Sequence, residues 1–319
     1  MRIFITGIRG FIPSHLANYL KKRGHTVFGI DNNLHPSKNN LDPKINAFYG
    51  DVRYTEDIEN SVKNADIVYH MAAQINVDKS IAYPQETMDI NLGGTTNVLN
   101  ACRRYNKIMV FSSTSEIYGS HDEPINENSP TYAQSPYAVS KLSADKLCGN
   151  YHNLYGLEVY RFRGFNTYGP YQSNDLYGAV IPKFIKEIRN GRRPIIFGDG
   201  SQSRDYIYVD DVVRAYELIP QIKELNGEPI NIGTGKTTSI LEIANSLIKL
   251  YQRNGKPNIK PKHVKARSGE VYKLQADISL LTSVGPKEIL PKIGIEEGLR
   301  RYVKWYESKN NYEPRRNSR

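Results

Sequence analysis

Arg2-Ile3-Phe4-Ile5-Thr6-Gly7-Ile8-Arg9-Gly10-Phe11-Ile12-Pro13 is the stretch that decides the fold. Its opening apolar run, cut off by Gly7, reads as a short buried strand. Gly7 permits a tight turn, and Gly10 lets another group come close to the backbone. From Phe11 a helical pattern runs to Arg23 and stops at Gly24. Thr26 to Ile30 is a second strand, ending in Asp31. Strand, glycine turn, helix, strand, acid is an arrangement that binds a dinucleotide. The pyrophosphate rests on the helix N-terminus and the acid takes the ribose diol. Asp31 would repel a 2′-phosphate, so NAD is expected rather than NADP. Pro13 stands where the fingerprint normally has its third glycine. A proline in the first helical turn costs little, since that N–H has no helical partner. The departure therefore bears on helix–strand packing rather than on the cofactor site.

The alternation continues outward from this stretch. Ala47 to Gly50 leads to Asp51-Val52, and Asp66 to His70 is a strand followed by Met71-Ala72-Ala73-Gln74. A long helix is expected over Gln85 to Tyr105, containing Asn91. Lys107 to Ser112 is the next strand, running into Ser113-Thr114-Ser115-Glu116, and Glu158 to Arg163 is another. Strands separated by helices predict a parallel sheet wound on both sides, an α/β fold. In such sheets ligands lie beyond the carboxyl ends of the strands. Gly7, Asp31, Ala72, Ser112 to Glu116 and Asn166 all fall at such ends, so one crevice should collect them.

Ser135-Pro136-Tyr137-Ala138-Val139-Ser140-Lys141 adds chemistry. Ser135 is a good N-cap and Pro136 suits the first helical position. Tyr137 and Lys141 then lie four residues apart, on one helix face. A lysine ammonium about 5 Å from a phenol, at effective dielectric ~20, favours the phenolate by roughly 3 kcal/mol. That is about two pKa units, enough to make a general base for an alcohol proton. Tyr-x-x-x-Lys alone is also a common accident of amphipathic helices.

Composition bounds the other classes. The 319 residues suffice for two domains or one large α/β unit, and 23 tyrosines carry most of the aromatic load. Cys102 and Cys148 form no metal or redox motif, which fits a reduced cytoplasmic protein. No apolar run reaches membrane-spanning length, and the first residues lack the apolar core of a signal peptide. The net charge is +10, scattered and partly in the tail Arg315-Arg316-Asn317-Ser318-Arg319. With no nucleic-acid motif beside it, this charge fits arginines that meet an anionic small ligand. Gly233-Thr234-Gly235-Lys236-Thr237-Thr238 imitates a phosphate-binding loop, but Ile230 stands where that loop needs glycine. The histidines show no metal spacing.

Taken together, Thr6-Gly7-x-x-Gly10-Phe11-Ile12, Asp51-Val52-Arg53, His70-Met71-Ala72-Ala73, Ser112-Ser113-Thr114, Tyr137-x-x-x-Lys141 and Arg163-Gly164-Phe165-Asn166-Thr167-Tyr168-Gly169-Pro170 resemble the extended short-chain dehydrogenase/reductase family, and more narrowly its nucleotide-sugar epimerases and dehydratases. Later stretches agree: Gly198 to Asp211, Asn231-Ile232-Gly233 and Arg267-Ser268-Gly269-Glu270. The resemblance covers nearly the whole chain. It implies a Rossmann domain over 1–166 plus about 206–244. A smaller α/β nucleotide-sugar domain would take about 167–205 plus 245–319. The implied cofactor is NAD, held by Gly7, Gly10, Phe11, Ile12, Asp31, Asn32, Asp51, Val52, Ala72, Ala73, Gln74, Asn91 and Ser112 together with Tyr137 and Lys141. Tyr137 would take the sugar 4-hydroxyl proton, with Lys141 lowering its pKa and Thr114 aligning the oxygen. Asn166, Arg204 and Arg267 would bind the diphosphate. A homodimer through the helices Gln85 to Tyr105 and Pro136 to Tyr155 is implied too, with no metal, membrane or nucleic acid.

After C4 oxidation three reactions stay open. A 4-epimerase, the preferred reading, needs no further acid or base. A 4,6-dehydratase needs a carboxylate at C5, for which Glu116 is the candidate. The dehydratases of dTDP-glucose carry Asp-Glu after the threonine, whereas this chain has Ser115-Glu116, as in GDP-mannose 4,6-dehydratases, which prefer NADP against the reading of Asp31, and in UDP-glucuronate decarboxylases. A UDP-glucuronate decarboxylase would bring an arginine before Asp277-Ile278, and Lys273 to Ala276 has none. A non-catalytic dinucleotide-binding protein is the reading of a different class, set against the intact Thr114, Tyr137 and Lys141.

Overall fold

The computed structural model describes residues 1–34, 40–173, 179–253, 255, 259–266 and 272–310. Thirteen strands follow in chain order: β1 Arg2–Thr6, β2 Thr26–Asp31, β3 Asn46–Tyr49, β4 Ile67–His70, β5 Ile108–Thr114, β6 Val159–Gly164, β7 Asn166–Tyr168, β8 Ile195–Phe197, β9 Ser203–Tyr208, β10 Pro229–Ile232, β11 Thr237–Ser239, β12 Lys262–Val264 and β13 Lys273–Leu274. The helices are α1 Phe11–Lys22, α2 Thr55–Lys63, α3 Val77–Ala82, α4 Pro84–Met88, α5 Gly94–Arg104, α6 Pro136–Tyr155, α7 Val180–Arg189, α8 Val209–Leu218, α9 Ile240–Arg253, α10 Ser279–Val284 and α11 Ile295–Asn310.

Seven strands form one sheet in the order β10-β6-β5-β4-β1-β2-β3. Every pairing in it is parallel. The chain winds outward in both directions from β1, so the order reverses between β1 and β4. That reversal opens a crevice at the strand carboxyl ends. Alternate residues of each strand face opposite layers. Ile3, Ile5, Tyr69 and Val110 join one core with Leu16 of α1 and Val212 of α8. Phe4, Val68, Met109 and Phe111 join the other with Ile58 of α2, Val98 of α5 and Ala144 of α6. A parallel sheet buried on both faces needs such strands, apolar at nearly every position.

The first core runs on without a break into Ile185 of α7, Leu247 of α9 and Leu299 of α11. These helices accompany a four-stranded sheet in which β9 is central. β9 pairs with β11 antiparallel and with β13 and β7 parallel. Pro229–Ile232 sits at the edge of the large sheet beside β6. Tyr206–Tyr208 pairs with β7 in the small sheet, while Tyr206, Ile207 and Tyr208 pack in the first core with Val209, Val212 and Val213 of α8.

The expected helix over Gln85 to Tyr105 also differs in detail. A π turn, Asp89–Gly93, separates α4 from α5. It opens the helix by one residue just where Asn91 sits.

Candidate active site

The glycine turn is built by steric necessity. Gly7 has φ +69°, and a Cβ on it would stand 2.8 Å from the Ala72 Cα. Any side chain at position 7 would push away the loop that follows β4. Gly7 N–H donates to the Ile30 carbonyl at 2.8 Å, which ties the turn to β2. Gly10 is the N-cap of α1 and offers no capping side chain, so the first amides of the helix face outward, free for an anion. A Cβ on Gly10 would meet both the Gly7 carbonyl oxygen and Pro13 Cγ at 3.1 Å. Pro13 itself is buried. It fills the space of the missing third glycine and leaves none for a larger residue at Gly10.

Asp31 ends β2 and is buried, 8% exposed. Its Oδ2 accepts from the Arg9 amide at 2.9 Å and its Oδ1 from the Asn33 amide at 2.7 Å. Each oxygen keeps a lone pair for a ribose hydroxyl. The glycine cradle, the open helix N-terminus and this carboxylate fit a dinucleotide without a 2′-phosphate.

Several side chains expected at the cofactor are turned inward instead. Asn91 Oδ1 accepts from the Gln74 amide at 2.8 Å, and its Nδ2 donates to the Gln74 carbonyl and to Ser140 Oγ, both at 2.9 Å. Gln74 spends its own amide on Asn76 and Thr87. Ser112 Oγ accepts from Tyr216 of α8 at 2.8 Å. Val52 is 4% exposed in the second core. The side chains of Asn91, Gln74 and Ser112 thus position the crevice wall, as buried amides and hydroxyls must be paired. Asp51 pairs with Arg53 at 2.8 Å and accepts from Asn32 Nδ2 at 3.3 Å. Phe11 and Ile12 are half-buried and pack under the turn, while Ala72 and Ala73 lie half-buried at the carboxyl end of β4.

The catalytic candidates meet where β5 ends and α6 begins. Ser135 Oγ caps α6 by accepting from the Ala138 amide at 3.1 Å, with Pro136 in the first turn. Lys141 is 4% exposed, and its Nζ donates to the Ser112 carbonyl at 2.5 Å. The same ammonium lies 4.2 Å from the centre of the Phe111 ring. Burial brings its pKa down to about 8. Burial also pushes the Tyr137 phenol up to about 12; a Thr114 side-chain hydrogen bond works against this and Glu116 adds to it. The sequence expectation had Lys141 lowering this pKa. In the structure the ammonium is tied to Ser112, and burial is the largest influence on the phenol.

Glu116 sits in the short 3₁₀ turn Ser115–Ile117, its amide donating to Thr114 Oγ1 at 3.2 Å. Burial raises its carboxyl pKa, and the Arg204 charge partly offsets this. Ser115 beside it is 3% exposed and points into the protein. Arg204, on β9, donates to the Ser203 carbonyl at 2.9 Å. Asn166 starts β7, and its Oδ1 is buried with no hydrogen-bond partner. Arg267 lies outside the described residues.

A buried ion cluster, unseen in the sequence, backs this wall. Asp145 of α6 is fully buried and bonds Arg161 and Arg163 at 3.0 Å each. Burial works to raise its pKa, but the Arg163 hydrogen bond and charge hold the carboxyl below the usual range. Arg163 also donates to Tyr118 Oη at 2.8 Å and to the Glu127 carbonyl at 2.9 Å. The loop that carries Glu116 is thereby pinned to β6. No group of three or more metal-ligating side chains occurs among the described residues. No helix among them is long and apolar enough to cross a membrane.

The comparisons with known proteins agree with this geometry. Residues 3–233 match the model of the NAD dependent epimerase/dehydratase family. A putative UDP-glucose 4-epimerase of Methanocaldococcus jannaschii is 37% identical, over 97% of this chain and 99% of its own length. A UDP-N-acetyl-alpha-D-glucosaminuronate decarboxylase of Bacillus cytotoxicus is 32% identical over 97% and 99%. The crystal structure of the Thermotoga maritima UDP-glucose 4-epimerase with UDP-glucose superposes with a TM-score of 0.90 at 30% identity, covering 97% of this chain and all of that one. Glycine cradle, acid, tyrosine–lysine helix and relatives together place the chain in the NAD dependent epimerase/dehydratase family, as an NAD-dependent nucleotide-sugar enzyme.

Proposed function

We propose that the chain is a nucleotide-sugar 4-epimerase acting on a UDP-sugar. One observation carries the choice of reaction. Of Thr114-Ser115-Glu116, only Thr114 and Glu116 are placed near the phenol, and the intervening Ser115 is buried. A dTDP-glucose-type dehydratase needs a second acid at that middle position, and an epimerase needs none. The full-length likeness to the Methanocaldococcus protein supports the same reading.

Tyr137 takes the proton of the sugar 4-hydroxyl as C4 is oxidised, and Thr114 aligns the oxygen through its hydroxyl. Lys141 holds positive charge beside the phenol. NAD, when bound, supplies the hydride acceptor and a cationic ring that favours the phenolate further. Asp31 and the N-terminus of α1 orient it. Arg204 and Asn166 take the diphosphate, as charge-assisted donor and buried amide. The 4-keto sugar then turns in the crevice to present its opposite face, so that return of the hydride to C4 and of the proton from Tyr137 to the oxygen gives the inverted alcohol.

The second reading is a 4,6-dehydratase with Glu116 as the C5 base. It is favoured by a carboxyl whose pKa burial raises next to the phenol. A decarboxylase fits less well. Ala276 is 2% exposed and packs in the cluster with Tyr118 and Phe165, so no arginine enters there. Incubation with UDP-, dTDP-, GDP- and CDP-sugars in heavy water, followed by proton NMR, separates the readings. A C4-inverted product without solvent deuterium supports the epimerase. Deuterium at C5 with a 4-keto-6-deoxy product overturns it. Glu116→Gln is expected to leave epimerisation within about threefold, but to cost about a hundredfold or more if the carboxylate is the base.

We also place a homodimer contact on α5 and α6. Val139, Leu154 and Tyr155 of α6 are exposed at 42%, 72% and 47%. A monomer by light scattering overturns that assignment. The two buried free cysteines suit a cytoplasmic setting.

A further inference from the structure

The structure assigns His70 a positioning role for the tyrosine. It is the second link of a one-way chain of hydrogen bonds from the glycine turn to the first turn of α6. Thr6 Oγ1 lies 2.8 Å from His70 Nδ1, and His70 Nε2 lies 3.0 Å from Thr95 Oγ1. Thr95 Oγ1 donates to the Asn91 carbonyl at 2.5 Å. Asn91 Nδ2 donates to Ser140 Oγ at 2.9 Å, and Ser140 Oγ donates to the Tyr137 carbonyl at 2.7 Å. Thr6, Thr95 and Ser140 are wholly buried, and His70 and Asn91 are 1% exposed.

Valence fixes the direction of every link. Thr6 Oγ1 already accepts from the amides of Met71 and Ala72, both at 3.1 Å. Its lone pairs are used, so its hydrogen must go to His70 Nδ1. At the other nitrogen, Thr95 has given its hydrogen to Asn91, so it can only accept. His70 must therefore carry its proton on Nε2. The opposite tautomer would crowd a third donor onto Thr6 Oγ1 and set two acceptors face to face at Thr95. The Asn91 amide cannot be turned around, because both ends are held by the Gln74 backbone.

The imidazole is confined on all sides. It stacks on Phe111 with 5.9 Å between ring centres. The same Phe111 carries the Lys141 ammonium on its ring. Burial, with the Lys141 charge second, brings the His70 pKa down to about 3. The ring stays neutral, which the chain requires, since an imidazolium would have two donors and no acceptor for Thr6. A single neutral tautomer thus holds three parts of the crevice in one register: the Thr6 turn, the 71–74 loop and the backbone of Tyr137. The inference rests on Tyr137 being the proton acceptor, and it holds whichever nucleotide-sugar reaction follows.

The test begins with the intact chain. Long-range proton–nitrogen NMR on histidine-labelled protein, with His70→Gln used for assignment, reads the tautomer directly. One Nε2–H tautomer that does not titrate from about pH 5 to 9 is expected. An Nδ1–H tautomer, or an imidazolium at neutral pH, overturns the chain whatever Tyr137 does. Kinetics follow. His70→Phe keeps the stacking and loses both bonds, so kcat is expected to fall about tenfold to a hundredfold with KM for the nucleotide sugar within about twofold. His70→Gln should recover part of that loss. A raised KM at unchanged kcat, or wild-type kcat in His70→Phe, overturns the positioning role while leaving the tautomer result standing. In a double-mutant cycle of His70→Gln with Ser140→Ala, the losses should be clearly less than additive. Full additivity shows that the two ends are independent and overturns the proposal.

Discussion

On the large-sheet side of the crevice, Asn91 makes three hydrogen bonds, Gln74 three, and Asp31 accepts two backbone amides. On the small-sheet side, among the described residues, Asn166 Oδ1 is buried without a partner and Arg204 donates to the carbonyls of Ser203 and Tyr272 alone. Both walls are polar, yet one is satisfied from within and the other leaves capacity for a ligand. A buried acceptor without a donor costs about 1–3 kcal/mol, so Asn166 Oδ1 calls for a donor such as a ligand hydroxyl, whereas a diphosphate would meet its Nδ2. The cofactor wall is therefore held by the protein's own bonds. On the proposed function, the second wall depends on its ligand for the remaining ones.

The largest expected effect tests the seam between the two walls. Tyr137→Phe should lower kcat by about 10²- to 10⁴-fold, with binding of NAD and of the nucleotide sugar nearly unchanged by calorimetry. A large loss of NAD affinity would show that the phenol belongs to the cofactor wall rather than between the two.

Lys141 tests how complete the inner satisfaction is. It is a buried cation whose pKa falls from the ordinary 10.5 to about 8. That corresponds to about 3 kcal/mol lost by burying the charge. Between those two values the unfolded chain binds the extra proton, so stability from this group rises with pH across that window. Lys141→Met should therefore be more stable than wild type at pH 7 by up to about 3 kcal/mol, an advantage that shrinks above pH 8 and is gone near 10.5. Urea unfolding of both proteins across that pH range measures it. A lysine variant that is less stable at neutral pH would mean that the Ser112 and Phe111 contacts outweigh the desolvation.

The finest test crosses the walls. Arg204→Gln should weaken nucleotide-sugar binding by about 10- to 100-fold and leave NAD alone, while Asp31→Asn should do the reverse by a similar factor. Titration calorimetry of each ligand against each variant would blur the comparison if either change spread to the other ligand.

Much of the cofactor wall was legible because each signal is local. The turn at Gly7, the acid at Asp31 and the cap at Ser135 each act within a few residues of themselves. What was missed depends on distance in the chain. The resemblance implies Asn91, Gln74 and Ser112 as cofactor contacts. Only the fold shows that their side chains bond Ser140, Thr87 and Tyr216 respectively. The Asp145–Arg161–Arg163 cluster and the Thr6–His70 bond join elements that no spacing rule connects. The direction of the Tyr137 pKa is not legible in the sequence for a related reason. Charge can be counted from a sequence, but desolvation cannot.

The π turn at Asp89–Gly93 has a consequence for how this chain can change. One residue more than an α-helix requires is lodged between α4 and α5. Losing a single residue there would close the widened turn and restore regular winding. Asn91 would then lose the place from which it holds the Gln74 amide at 2.8 Å. Substitutions in this segment can be absorbed one side chain at a time, but a length change cannot. Related chains that keep the Asn91 clasp are thus expected to be free in composition across 89–93 and locked in their count of residues.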